Sequence, residues 1–482
     1  MQVSQNPINK TLEKQLDQMF YQVLAEIDSP EDLKTVLCDV LTEGERTAVI
    51  KRLGIALYLD KGRNYEDIKN NIKVSSATIA TVAENLGNSG WQEMIRRIKA
   101  EEWAMGKFYI TTTLPYVNAE PHIGFAMEII RADVLARMHR ALGDEVFFNT
   151  GTDEHGQKIY QMAVEAGQEP KAYCDENAAK FGQLKTGLNL SYDNFVRTTD
   201  EHHIQAAQEF WKLCEAKGDI YKKTYKVKYC VGCELEKTDS ELEEGKCPLH
   251  PTQKLQNIEE ENYFFRFSNY QQKLLGLYQA QPDFVMPDFR QNEMRIFIEG
   301  GLQDFSISRL KSKMPWGIEV HGDPTQIIYV WFDALVNYIS CLGWPENTKR
   351  FKEFWPGVQV CGKDNLRQQT AMWQAMLMSA DLPTSKQVLV GGFLTSGGQK
   401  ISKSLGNTIN PLEWAEKYGA DALRYFLLSE VSVFEDSDVT VDRFEEAYQT
   451  NLANGIGNLA ARVATMAEKI SLKVPEQKME IS

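Results

Sequence analysis

Two short segments, far apart in the chain, carry residue types suited to polyphosphate chemistry: Pro121-His122-Ile123-Gly124-Phe125 and Lys400-Ile401-Ser402-Lys403-Ser404. The first places an imidazole and a glycine where a loop becomes a helix. A helix N-terminus carries partial positive charge and favours phosphate. Gly124 leaves space for a nucleotide to approach the backbone. The second puts two ammonium groups and two hydroxyls on a loop flanked by Gly397, Gly398 and Gly406, which suits closure over a substrate. Between them lie Cys230-x2-Cys233 and Cys247-x2-His250. Such a Cys3His set can close a tetrahedron around zinc, and four ligands leave no open position, so the metal would be structural.

The elements that must position these groups follow from periodicity. Phe108-Tyr109-Ile110 reads as a strand, and Thr111–Ala119 as a turn-rich loop. A helix from Pro121 should bury Ile123, Met127, Ile130, Val134 and Met138. Val146-Phe147-Phe148 is the next strand, leading to the crest Gly151-Thr152-Asp153-Glu154-His155-Gly156. Strand, helix and strand in this order predict an α/β fold with a doubly wound parallel sheet, which binds ligands at the carboxyl ends of its strands. Residues 200–328 turn charged and rich in short strands and read as an insertion. The sheet is expected to resume at Ile327-Ile328-Tyr329-Val330-Trp331 and at Val388-Leu389-Val390. Helices follow over Asp421–Leu428 and Arg443–Lys469; Asn458 and Arg462, four residues apart, share a helix face.

Bulk properties narrow the class. A chain of 482 residues suggests three or four domains. No apolar run approaches the ~20 residues of a membrane span, and the first residues lack a signal-peptide pattern. A cytoplasmic location is therefore expected. A net charge of −14 argues against indiscriminate wrapping of nucleic acid but leaves room for a local basic groove. Cys38, Cys174, Cys214, Cys341 and Cys361 are scattered, as reduced thiols are.

The paired segments, their order and the zinc pattern between them resemble class I aminoacyl-tRNA synthetases. Tyr229-Cys230-Val231-Gly232-Cys233-Glu234 and the matches over roughly residues 105–475 narrow the resemblance to single-zinc methionyl-tRNA synthetases. It implies a Rossmann-type catalytic domain in two halves, 105–199 and 329–393, around a connective insertion at 200–328 with the zinc knuckle. A KMSKS-like loop and stem-contact region would span 394–455, and 456–482 would begin an all-helical anticodon-binding bundle.

The implied activity is ATP-dependent activation of L-methionine to methionyl-adenylate, then transfer to tRNA(Met). By the same resemblance, His122, Lys400 and Lys403 are transition-state contacts, and Gly124, Gly362 and Asp364 belong to the ATP site. Mg2+ would accompany ATP. The methionine pocket would be Leu114, Tyr116, Asp153, Trp331, Ala334, Tyr338 and Gln369, with Asp153 on the α-ammonium. Glu128 and Arg309 would pair and shape the site. Asn458 and Arg462 would meet the anticodon. The sequence departs from the family at Phe125, where a second histidine is common, at Gln368-Gln369, where an aromatic and a histidine are common, and at Ile401 for methionine. The family's anticodon domain runs beyond Ser482, so its aromatic anticodon contact is not in this sequence.

Residues 1–104 read as a separate helical unit. Leu33, Val36, Leu37, Val40 and Leu41 form one apolar face. A short helix over Tyr65–Ile72, a turn at Lys73-Val74, and a helix capped at Ser75-Ser76 with Ile79, Val82 and Leu86 inward make a helix-turn-helix, ended by Gly87-Asn88-Ser89-Gly90. It resembles the Trp-repressor-like family, which implies DNA contact and a homodimer through this unit. Basic residues outnumber acidic ones in 61–100 and the reverse holds in 1–60, although Ala80 and Thr81 stand where a basic residue is frequent. A competing expectation is a helix-turn-helix regulator whose synthetase-like body senses methionine or tRNA.

Overall fold

The computed structural model describes residues 10–27, 29–60, 62–102, 106–118, 120–233, 235–237, 242–243, 245–248, 250–401 and 408–470. The chain divides into two compact units, Met1–Ala104 and Met105–Ser482.

Among its described residues the first unit has six helices: α1 (Lys10–Ala25), α2 (Pro30–Val40), α3 (Glu43–Asp60), α4 (Tyr65–Ile72), α5 (Ser76–Asn85) and α6 (Ser89–Glu102). Its core is Ile55, Ala56, Ile68, Ile79, Val82 and Ile95. Ser75 caps α5 by accepting from the Thr78 amide at 3.2 Å, and Lys73 turns the chain between α4 and α5 with φ +55°. The Gly87–Gly90 run ends α5 but also opens α6, because Ser89 and Gly90 already lie in the next helix. Val40 does not join the apolar face of α2; it is exposed near that helix's end.

In the second unit six parallel strands form the sheet: β1 (Lys107–Thr112), β2 (Glu145–Thr152), β3 (Asn194–Arg197), β4 (Val285–Met286), β5 (Val358–Gly362) and β6 (Gln387–Gly391), in the order β3-β2-β1-β5-β6-β4. β1 is buried at every residue after Lys107, as expected of a strand covered on both faces. Between β1 and β5 the order reverses. Loops leaving these two strands therefore diverge and open a crevice at their carboxyl ends.

Two expectations are corrected here. Ile327 and Ile328 form a strand, but in a separate antiparallel sheet, paired with Arg309 and Ser308. Tyr329 then caps the helix Val330–Leu335, so Val330 and Trp331 leave the strand. The β-branched run fits any sheet, and the neighbouring Ser308–Leu310 strand is its short-range partner. Val285 and Met286, inside the expected insertion, add the last strand of the parallel sheet beside β6.

Helix α7 (Ile123–Ala141) packs on β1, β2 and β5. Ile123, Met127 and Ile130 are buried as expected, and Phe125, Ala126 and Ile129 are buried too. Met138 is exposed, near the C-terminal end of the helix. Arg424, on the helix Ala420–Ser429, donates to the buried Asp133 of α7 at 2.6 Å. The last helical run is interrupted: Val441–Ala447 continues as a wide π-turn, Tyr448–Gly457, before Asn458–Ile470.

Candidate active site

The crevice holds a cavity of about 700 Å³. His122 caps α7 at its rim, and its Nδ1 accepts from the Gly124 amide at 3.1 Å. An accepting Nδ1 leaves the ring proton on Nε2. A Cβ on Gly124 would come within 2.9 Å of the imidazole. The glycine is thus demanded by the capping ring as much as by any ligand.

The lysine loop starts from a tight hairpin. Gly397 (φ +61°) and Gly398 (φ +74°) make a two-residue turn, pairing Ser396 with Gln399 and Thr395 with Lys400. Both positive φ values favour glycine, which takes them without steric cost. Asp438 holds this turn, accepting from Gly398 N at 2.9 Å and Thr395 Oγ1 at 2.8 Å. Ile401, next to Lys400, lines the same cavity as His122. Just past the loop, Ile409 O accepts from Ile123 N at 3.0 Å. Lys403, Ser402, Ser404 and Gly406 lie outside the described residues.

Gly124, Gly362 and Asp364 also line the cavity. Glu128 projects from α7 toward them, accepting from Thr113 N at 2.8 Å and Thr113 Oγ1 at 2.5 Å. Burial, opposed by the Thr113 bonds and reinforced by the Asp364 charge, pushes its carboxyl up to about 8. Arg131, one turn on, donates to Val433 O at 2.9 Å and Ser432 O at 2.5 Å; burial lowers it to about 10. Arg309 lies 4.2 Å from the Tyr329 ring centroid and 5.2 Å from that of Tyr229. Gly124, Glu128 and Arg131 are spaced i, i+4, i+7, a shared helix face that the sequence offered and that pairing Glu128 with Arg309 overlooked.

Leu114, Tyr116, Trp331, Ala334 and Tyr338 wall the cavity's inner part. Asp153 is buried at the crest after β2, its amide donating to Pro115 O at 3.0 Å, and it pairs across a β-bridge with Tyr116. A π-turn at Gln368–Met372 brings Gln368 and Gln369 into the same wall; such bulges are frequent at functional sites. Gln359 donates to Gln369 Oε1 at 3.2 Å, and Gln369 donates in turn to the Tyr338 hydroxyl. Phe125 is buried against Phe181, ring centroids 5.7 Å apart. It packs where a second histidine would donate.

Cys230, Cys233, Cys247 and His250 come together with all ligand atoms within 4.8 Å of one another. Cys233 Sγ lies 3.4 Å from Cys247 Sγ and 3.2 Å from His250 Nδ1; Cys230 Sγ lies 3.8 Å from His250 Nδ1. Metal–ligand bonds of ~2.0–2.3 Å give tetrahedral edges of ~3.3–3.8 Å, so the four residues fit one metal ion. Cys233 and His250 also line the cavity. Asn458 and Arg462 stand exposed on the Asn458–Ile470 helix and do not line this cavity.

Residues 108–464 match the family model described as tRNA synthetases class I (M). The chain belongs to the class I methionyl-tRNA synthetase family. A methionine–tRNA ligase of Thermotoga maritima is 47% identical over 368 residues, covering 75% of this chain and 58% of that protein. One from Thermosynechococcus vestitus is 49% identical over 368 residues, covering 75% of this chain and 69% of its own length. The chain thus spans somewhat more than half of the first relative. The structure of Mycobacterium tuberculosis methionyl-tRNA synthetase in complex with methionyl-adenylate superposes with a TM-score of 0.74 at 39% identity, covering 78% of this chain and 75% of that one. Residues 14–99 match the model described as Trp repressor protein. These synthetase relatives are named as ligases, not regulators. Among the described residues, no helix is long and apolar enough to cross a membrane.

Proposed function

We propose that this chain activates L-methionine with ATP, releasing pyrophosphate, and transfers the methionyl group to tRNA(Met). One observation carries the reading: a single cavity is lined by His122, by Asp364 and by Ile401 beside Lys400, with an aromatic recess behind them. The M. tuberculosis relative, whose structure holds methionyl-adenylate, supports it.

The reaction joins a carboxylate oxygen of methionine to the α-phosphorus of ATP as the bond to pyrophosphate breaks. The protein needs no nucleophile of its own; it must align the reactants and stabilise charge on the phosphoryl oxygens. His122 Nε2–H is the donor at the helix N-terminus. Lys400 and Lys403 supply cations, and Asp364 accepts from the ribose. Mg2+ with ATP neutralises the triphosphate. Asp153 takes the α-ammonium, while Leu114, Tyr116, Trp331, Ala334 and Tyr338 enclose the thioether; sulfur–aromatic contact adds to burial there. The Cys3His site is read as zinc, a rigid strut beside the cavity mouth.

Asn458 and Arg462 are assigned to the anticodon; their exposure on one helix face is consistent with stacking on unpaired bases. For residues 1–104 we infer DNA contact and pairing of two copies. The Trp repressor match and the exposed Leu16, Met19, Tyr21 and Val23 of α1 support this. A salt-titrated DNA-binding assay and a solution mass test the two points; a flat salt response or a monomeric mass overturns them. Cysteines without disulfides are consistent with a cytoplasmic location.

The test of activation is methionine-dependent exchange of pyrophosphate into ATP. Exchange followed by charging of tRNA(Met) is expected. No exchange with zinc-loaded protein would remove the enzymatic reading.

A further inference from the structure

Behind the recess lies a polar cluster that the proposed chemistry does not use. The Asp333 carboxylate, fully buried, is shared by two buried histidines. His155 Nδ1 lies 2.7 Å from Asp333 Oδ2, and His203 Nε2 lies 2.8 Å from Oδ1. His203 Nδ1 lies 2.9 Å from the Ser340 hydroxyl. A buried carboxylate with both oxygens engaged by ring nitrogens is a strong, directional tie. The tie joins distant parts of the sequence: the crest after β2, the helix Glu201–Ala216, and the helix Val330–Leu335.

The tie connects two segments that both line the cavity, through Asp153 on one and Trp331 and Ala334 on the other. His155 is two residues beyond Asp153. Asp333 sits between Trp331 and Ala334. The crest is held from its other side as well: Trp316 Nε1 donates to Glu154 O at 2.6 Å, and Arg197 forms a paired bond to the Glu154 carboxylate at 2.6 and 2.9 Å. The wall helix is held by Asn337, which donates to Ala334 O at 2.6 Å. The His155–Asp333 bond, at 2.7 Å, links the two segments directly.

We infer that Asp333 is a positioning residue for the amino-acid pocket: through His155 it staples the loop carrying Asp153 to the helix carrying Trp331 and Ala334, and so sets the pocket's width. This rests on the methionine-activating reading above. Asp333 touches no reacting atom. Its effect is on where the ammonium-binding carboxylate stands relative to the apolar wall.

The experiment is steady-state pyrophosphate exchange with Asp333→Asn, His155→Asn and His155→Leu, varying methionine, ATP and ethionine separately. An asparagine at 155 keeps an N–H near the position of Nδ1, and a leucine removes it. His155→Leu and Asp333→Asn should raise KM for methionine at least tenfold with KM for ATP within twofold. They should also narrow the preference for methionine over the longer ethionine at least threefold. His155→Asn should stay within threefold of the parent on both measures. Equal rises in both KM values, or unchanged methionine KM and ethionine discrimination in a folded His155→Leu protein, would overturn the inference. If Asp333→Asn fails to fold, the two His155 variants decide alone. Absence of exchange in the parent protein would instead strike the activation reading.

Discussion

Ile123, the first residue of α7, donates its amide hydrogen to the carbonyl oxygen of Ile409 at 3.0 Å. The donor adjoins His122; the acceptor stands just past the lysine loop. One backbone bond therefore fixes the far end of that loop to the helix terminus that carries the imidazole. The near end is fixed by Asp438 at Gly398. Both anchors lie among the described residues, one before the loop and one after it.

The first prediction separates the structural and chemical work of His122. Its Nδ1 caps α7 through the Gly124 amide. Asparagine also caps well, and loss of a cap costs ~1 kcal/mol. His122→Asn should keep the melting temperature within a degree or two and still lose most activity, whereas His122→Ala should lose both. Differential scanning calorimetry beside pyrophosphate exchange checks this. Full activity in His122→Asn would show that capping was the residue's only task.

Glu128 gives a pH dependence with a defined sign. Its carboxyl is raised from an ordinary 4.5 to about 8, chiefly by burial. The folded protein therefore holds this proton more tightly than the unfolded chain does. The stability it contributes is complete below about pH 4.5 and is lost as pH rises through about 8. Glu128→Gln cannot lose the proton and should flatten this decline. Melting temperatures of the substrate-free protein between about pH 5 and pH 9, parent against variant, test it. Parallel curves would contradict the assignment.

Metal removal should act on the cavity indirectly. Cys233 and His250 both belong to the proposed zinc set and line the cavity. Chelation, or Cys247→Ser, should release one zinc per chain and lower exchange activity. Elemental analysis with activity measured on the same samples checks the link. Full activity in metal-free protein would break it.

Parts of the fold and of the site were legible in the sequence for different physical reasons. Cys230, Cys233, Cys247 and His250 could be grouped because metal geometry restricts ligand spacing so strongly. Ile123, Met127 and Ile130 followed from helical period. Ile327–Trp331 misled because a β-branched run specifies a strand without specifying its partner. Val285 and Met286 were missed because a two-residue edge strand carries almost no periodic signal. Arg131 stood on a readable helix face, but its partners, Ser432 O and Val433 O, did not show in the sequence, nor did the Gly398 amide that Asp438 accepts from beside Thr395 Oγ1. Backbone partners leave no residue-type signature. The Asp333 tie was invisible because its three side chains are widely separated along the chain.

The central claim is that an imidazole at the start of α7 and the lysines of the distant loop act on one nucleotide. The most direct measurement is rapid-quench formation of methionyl-adenylate in a single turnover, with the parent, His122→Asn and Lys403→Ala. Removing one such stabilising group typically costs ~10²–10³-fold in rate. Each variant should slow adenylate formation by about that factor while methionine affinity stays within about threefold. Adenylate formed at the parental rate by either variant would contradict the account.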